Sequence, residues 1–87
     1  MERADVERAL ADRLAKLHRE EHGVLPDGTT AHLCGDLAIV RMRGVFTSPE
    51  RAVLAEEGGR KRVALARHEH RSLVRRKVHS AVAEVLG

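Results

Sequence analysis

The sequence predicts an α+β fold: an N-terminal helix, a two-stranded antiparallel hairpin, a short helix and a long C-terminal helix. Three observations carry that expectation. Apolar residues recur at helical spacing towards both ends of the chain. Between them, residues 37–43 alternate about a Gly-Asp pair, as a half-covered strand does. Proline and glycine stand at each change of period.

The first helix is expected over residues 2–22, where Val6, Leu10, Leu14 and Leu17 recur on one face with Ala9 beside them. Glu2, Asp5 and Glu7 suit the positive end of its dipole, and His18, Arg19 and His22 suit the negative end. Gly23 is a natural C′ residue, and Pro26 shortly after it prevents continuation. Pro26-Asp27-Gly28 then reads as a turn. Strands are expected over residues 29–34 and 37–43, joined by Gly35-Asp36 in a tight hairpin with glycine in the first position. Leu37, Ile39, Arg41 and Arg43 share one face of the second strand; Ala38, Val40 and Met42 share the other. Thr47 with Glu50 fits a capping box, and Pro49 after Ser48 fits the first turn of a helix ending near residue 57. Gly58-Gly59 breaks that helix. A long helix is then expected over residues 60–86, with Val63, Ala66, His70, Leu73, Val74, Val78, Ala81, Val82 and Val85 on one broad face. Both long helices are expected to pack on one face of the sheet.

Composition narrows the functional classes. The chain has 87 residues, one Phe, no Trp and no Tyr, so its core must come from Ala, Val and Leu. That length fits one domain and leaves little room for a walled catalytic pocket. The apolar content is periodic, which argues against disorder. No apolar run approaches the roughly 20 residues that cross a bilayer. The charged start MERADVERAL lacks a signal core, and the single Cys34 forms no intrachain disulfide; both fit a cytoplasmic setting. Cys34 reads as a buried small apolar residue. The net charge of +3 conceals a gradient: residues 1–36 hold five basic and eight acidic side chains, residues 37–87 eleven and five.

The candidate polar sites follow from that gradient. Arg60, Arg71 and Arg75 line one flank of the long helix, and with Arg76 they form a candidate surface for an anion or a partner. A solvated basic face is the plainer account. Nucleic-acid binding, as a small basic regulatory protein, is the alternative function; the lack of stacking aromatics weakens it. Arg67 falls inside the apolar face, where a guanidinium must be paired. Glu50, Glu56 and Glu57 are its nearest carboxylates by chain layout, and a structural ion pair is favoured over a ligand role. His18-Arg19-Glu20-Glu21-His22 matches H-x-x-E-H, a zinc-peptidase pattern. With no third ligand in view, dipole-facing histidines explain it better. No catalytic residue, metal site or cofactor is expected. His70 on the apolar face reads as a satisfied core or interface histidine, able to sense pH.

Met42-Arg43-Gly44-Val45-Phe46-Thr47-Ser48-Pro49-Glu50, then Glu57-Gly58-Gly59-Arg60, then Arg67 form an ordered set. The set resembles the MpsC family, whose pattern is a strand ending L-x-G-x-L-T-x-x-E, then E-G-R, then a helix bearing an Arg. The resemblance covers about residues 6–87. It marks Gly44, Thr47, Glu50 and Arg67 as structural or functional polar positions. It implies a soluble α+β accessory protein, tied in some members to ion or bicarbonate uptake, with no known catalytic reaction. It also implies a chain that stops short of two further family strands. A two-stranded sheet is marginal alone, so a homodimer or a protein partner is expected, a membrane protein included.

Overall fold

The structure, a computed structural model, describes residues 2–87. The element order is α1 (Arg3–His22), β1 (Gly28–Cys34), β2 (Leu37–Arg43), α2 (Ser48–Leu54) and α3 (Gly59–Leu86). The α+β architecture is the one the sequence predicts. α1 stops where Gly23 takes φ +76° and donates its N–H to the Arg19 carbonyl. β1 and β2 pair antiparallel, from Cys34 opposite Leu37 to Gly28 opposite Arg43. Gly35 opens their turn at φ +60°.

Two glycines are demanded by close approach. At Gly44, φ is +66° and a Cβ would run into the Asp27 side chain. At Gly59, a Cβ would collide with the Val53 carbonyl. Glycine at this second point lets the end of α2 fold back on the start of α3. α2 is therefore shorter than expected, ending at Leu54, and α3 begins one residue early.

The core is small and aliphatic. Leu10, Ala11, Leu14 and Leu17 of α1 meet Ala31 of β1 and Ala81 of α3. Leu10 and Ala81 are fully buried. Leu33, Val40, Met42, Val78, Val82 and Val85 close around them, each partly exposed. The alternation in β2 divides its faces as predicted: Val40 and Met42 point towards the helices, and Leu37, Ile39, Arg41 and Arg43 point away.

Four expectations need correction. Only α1 packs squarely on the sheet, against β1; α3 packs on α1 and α2 instead. The apolar face of α3 is narrower than its periodicity suggests, for Leu73 is 81% exposed and Ala66 is exposed too. There Arg67, His70 and Lys77 are the residues that meet the end of α1, which leaves Ala66 and Leu73 on the outer side. Cys34 is exposed rather than buried, because it sits on the outer sheet face at the hairpin tip. His70 is not satisfied: its Nε2 is buried without a hydrogen-bond partner.

Candidate functional site

The chain between β2 and α2 is organised by one guanidinium. Arg67 Nε donates to Glu50 Oε2 at 2.6 Å, and Nη2 donates to Glu50 Oε1 at 2.6 Å. Nη2 also donates to the Val45 carbonyl at 2.6 Å. The guanidinium carbon lies 5.5 Å from the centre of the Phe46 ring, a cation–π distance. The pair is largely shielded from water, with side-chain exposures of 15% for Arg67 and 23% for Glu50. Glu50 is held from its other side by the predicted capping box. Its Oε1 accepts the Thr47 N–H at 2.9 Å, and its own N–H donates to Thr47 Oγ1 at 3.3 Å. The Arg67 hydrogen bonds, aided by Thr47 and opposed by burial, pull the Glu50 carboxyl down to about 2. Thr47, Glu50 and Arg67 are thus neighbours in one construction, whereas Gly44 approaches the Asp27 side chain instead. The construction pins α3 to the loop leaving the sheet and to the start of α2. Of the three carboxylates in reach by chain layout, Glu50 takes Arg67, while Glu56 pairs with Arg62 at 2.8 Å.

Three histidines extend this construction to α1. His18 Nδ1 lies 2.9 Å from the Val24 carbonyl, so that nitrogen carries the proton. Its Nε2 is then an acceptor, facing Arg67 Nη1 at 3.5 Å. His22 stacks on His18 at 4.6 Å between ring centres, and on His70 of α3 at 4.7 Å. Burial, with the nearby positive charges of Arg67 and the other imidazoles, lowers His22 to about 4. Glu21 is 3.7 Å from His70 Nε2 and 2.7 Å from Lys77 Nζ. The Lys77 hydrogen bond holds the Glu21 carboxyl below its usual range. The H-x-x-E-H pair does acquire a third imidazole. The rings pack against one another at tilts of 42° and 57°, however, and among the described residues no group of three or more His, Cys, Asp or Glu is disposed to hold a metal ion.

Beside this cluster runs an open groove of about 490 Å³. Val40 and Met42 of β2 form one wall and Val74 and Val78 of α3 the other, over Leu14 and Leu17 of α1. His70, Arg67 and Arg71 edge one end. The four flank arginines do not converge on a single surface. Arg60 and Arg71 border a second recess with Phe46 and Val63, whereas Arg76 lies on the side of Arg13 and Glu20. Arg60, Arg71, Arg75 and Arg76 are all exposed, and none makes an ion pair among the described residues.

Sequence reasoning missed the ties between α1 and the rest. These are Arg13 to Glu84 at 2.6 Å, Lys77 to Glu21, and the Glu7 carboxylate accepting the Leu33 N–H at 2.8 Å. No local pattern marks them, since each joins residues distant in the chain.

The fold and the site define a small α+β module in which a part-buried Arg67–Glu50 pair ties three elements together and in which an open groove lies beside β2. A family model described as "Na+-translocating membrane potential-generating system (MpsC)" matches residues 2–87. The chain belongs to the MpsC family. No curated protein and no solved structure matches it. No helix among the described residues is long and apolar enough to cross a membrane.

Proposed function

We propose that this chain is a non-enzymatic accessory module of a Na⁺-translocating, membrane-potential-generating system, acting through contact with another protein chain. The family assignment supplies the system. The observation that carries the mode of action is the open groove beside β2, a side of the sheet that this chain leaves uncovered. The polar cluster supports a structural rather than catalytic use of Arg67, because Glu50, Val45 and His18 occupy its nitrogens. A free, exposed Cys34 suits a reducing, cytoplasmic location. The partner is a second copy or a different protein, a membrane subunit of the same system included.

The test is genetic and physical. Deleting the gene should lower the Na⁺-dependent membrane potential of energised cells, and restoring the intact chain should recover it. An unchanged potential in the deletion strain sinks the reading. Size-exclusion chromatography with light scattering reports whether the purified chain is already a dimer.

A further inference from the structure

The two edges of the hairpin are treated differently. With a two-residue turn at Gly35-Asp36, Cys34 and Leu37 exchange both backbone hydrogen bonds. The next pairs along, Leu33–Ala38, Ala31–Val40 and Thr29–Met42, then alternate so that their N–H and C=O groups point away from the partner strand. On β1 the outward N–H of Leu33 is taken by the Glu7 carboxylate of α1, while the outward groups of Thr29 and Ala31 are unpartnered among the described residues; β2 differs in that its edge borders the groove. On β2 the outward groups of Ala38, Val40 and Met42 have no partner among the described residues. β2 carries no proline or bulge to blunt its edge, and its two charges, Arg41 and Arg43, lie on the outer sheet face, away from the groove.

The helical layer is also wider than the sheet. Neighbouring strands lie about 5 Å apart and packed helices about 9 Å apart. With α1 beneath β1, α3 lies beyond β2 and no strand covers it; the groove is the space between them. A strand added to β2 would lie over this groove and drop alternate side chains between Val40, Met42, Val74 and Val78.

We infer that β2 takes an extended peptide segment of a partner protein as a third strand, with apolar residues at alternate positions and an acidic residue at its Met42 end. This inference rests on the reading of the chain as a contact module and names what the contact is. The acidic residue follows from Arg71, which edges the groove and has no ion pair. A second copy paired antiparallel through β2 does not fit this edge. A two-fold axis normal to the sheet would bring another pair of helices to the same face, into the space α3 occupies.

The experiment selects peptides from a phage-displayed random nine-residue library on the intact, immobilised chain. Enriched sequences should carry apolar residues at i, i+2 and i+4 and an Asp or Glu at one end. Ala38→Pro removes an outward N–H that no bond within the hairpin uses, at an exposed position of an edge strand where proline is tolerated. With far-UV circular dichroism unchanged, it should weaken an enriched peptide at least tenfold; Arg71→Glu should weaken it about tenfold. On the unaltered chain, that peptide should slow hydrogen exchange at the Ala38, Val40 and Met42 amides at least tenfold, a readout that stands if Ala38→Pro fails to fold. The inference is overturned by no enrichment, by helical i, i+3, i+4 spacing, by binding indifferent to a folded Ala38→Pro protein, by unprotected β2 amides, or by self-association through β2. None of these readouts depends on the membrane-potential assay, so the two readings fail separately.

Discussion

The two halves of α3 are held by different physics. Its C-terminal half lies on α1 through small and branched aliphatics, with Ala81 fully buried and Val78, Val82 and Val85 around it. Its N-terminal half has only Val63 buried beyond Gly59, and is fixed by Arg67 reaching to Glu50 and Val45. Apolar burial is non-directional and supplies most of the free energy. A bidentate guanidinium–carboxylate pair supplies geometry, because its two parallel bonds tolerate little rotation. One helix thus shows stability and positioning delivered by separate residues. Both halves meet the groove: Arg67, His70 and Arg71 edge it from the positioned half, and Val74 and Val78 wall it from the packed one.

Substitutions should separate the two halves. Leu10→Ala removes a fully buried side chain from the α1–α3 core, and should cost the most, about 3 kcal/mol in a urea melt. Arg67→Ala leaves Glu50 and the Val45 carbonyl without their partner, and should cost about 2 kcal/mol, the pair being partly shielded rather than deeply buried. Native-state hydrogen exchange tells them apart. Arg67→Ala should free the amides of α2 and of residues 59–74 ahead of Ala81, whereas Leu10→Ala should lower protection throughout. A uniform loss in both variants would break the comparison. Arg67→Lys should rescue little, because an ammonium cannot reproduce the paired bonds.

Acid should loosen the Arg67 end first. His22 is lowered to about 4 in the folded chain from an ordinary 6.5, so the unfolded chain binds its proton first and stability falls as pH drops from about 6.5 towards 4. Glu50 is lowered to about 2 from 4.5. Its contribution is complete above about 4.5 and disappears as pH falls towards 2. The urea midpoint should therefore decline in two stages. His22→Gln should remove the upper stage and Glu50→Gln the lower. A midpoint flat between pH 6.5 and 5 in the unaltered chain would refute the first stage.

What the sequence disclosed follows the same division. The period of Leu10, Leu14 and Leu17, the Gly35-Asp36 turn and the Thr47–Glu50 box are local, and each element appeared near its expected place. Arg67 could be singled out because a charge inside an apolar stripe demands a partner. Its choice of Glu50 over Glu56 depended on how α2 folds back at Gly59. Leu73 and Cys34 were misplaced for a related reason. Periodicity and residue type say which face is apolar, but only the number of layers says whether that face is covered. The β2 edge was beyond local reading as well, since its openness depends on α3 packing against α1 and α2 rather than on the sheet.

Smaller effects refine the contrast. Thr47→Ala deletes the hydroxyl that accepts the Glu50 N–H and should cost about 1 kcal/mol. It should also make the lower acid stage smaller and complete it at a higher pH, since Thr47 helps to hold the Glu50 carboxyl down. Lys77→Ala should have the smallest effect. Its 2.7 Å contact with Glu21 looks as good as the Arg67 pair by distance. The Lys77 side chain is 63% exposed, however, against 15% for Arg67. Water and salt screen such a charge, and the long side chain loses rotamer freedom in making the contact. The urea midpoint should not move, at low or at high salt. A clear loss would mean that Glu21 needs Lys77 to keep its place beside the unpartnered His70 nitrogen, and that the polar construction reaches nearly three turns further down α3 than Arg67 alone implies.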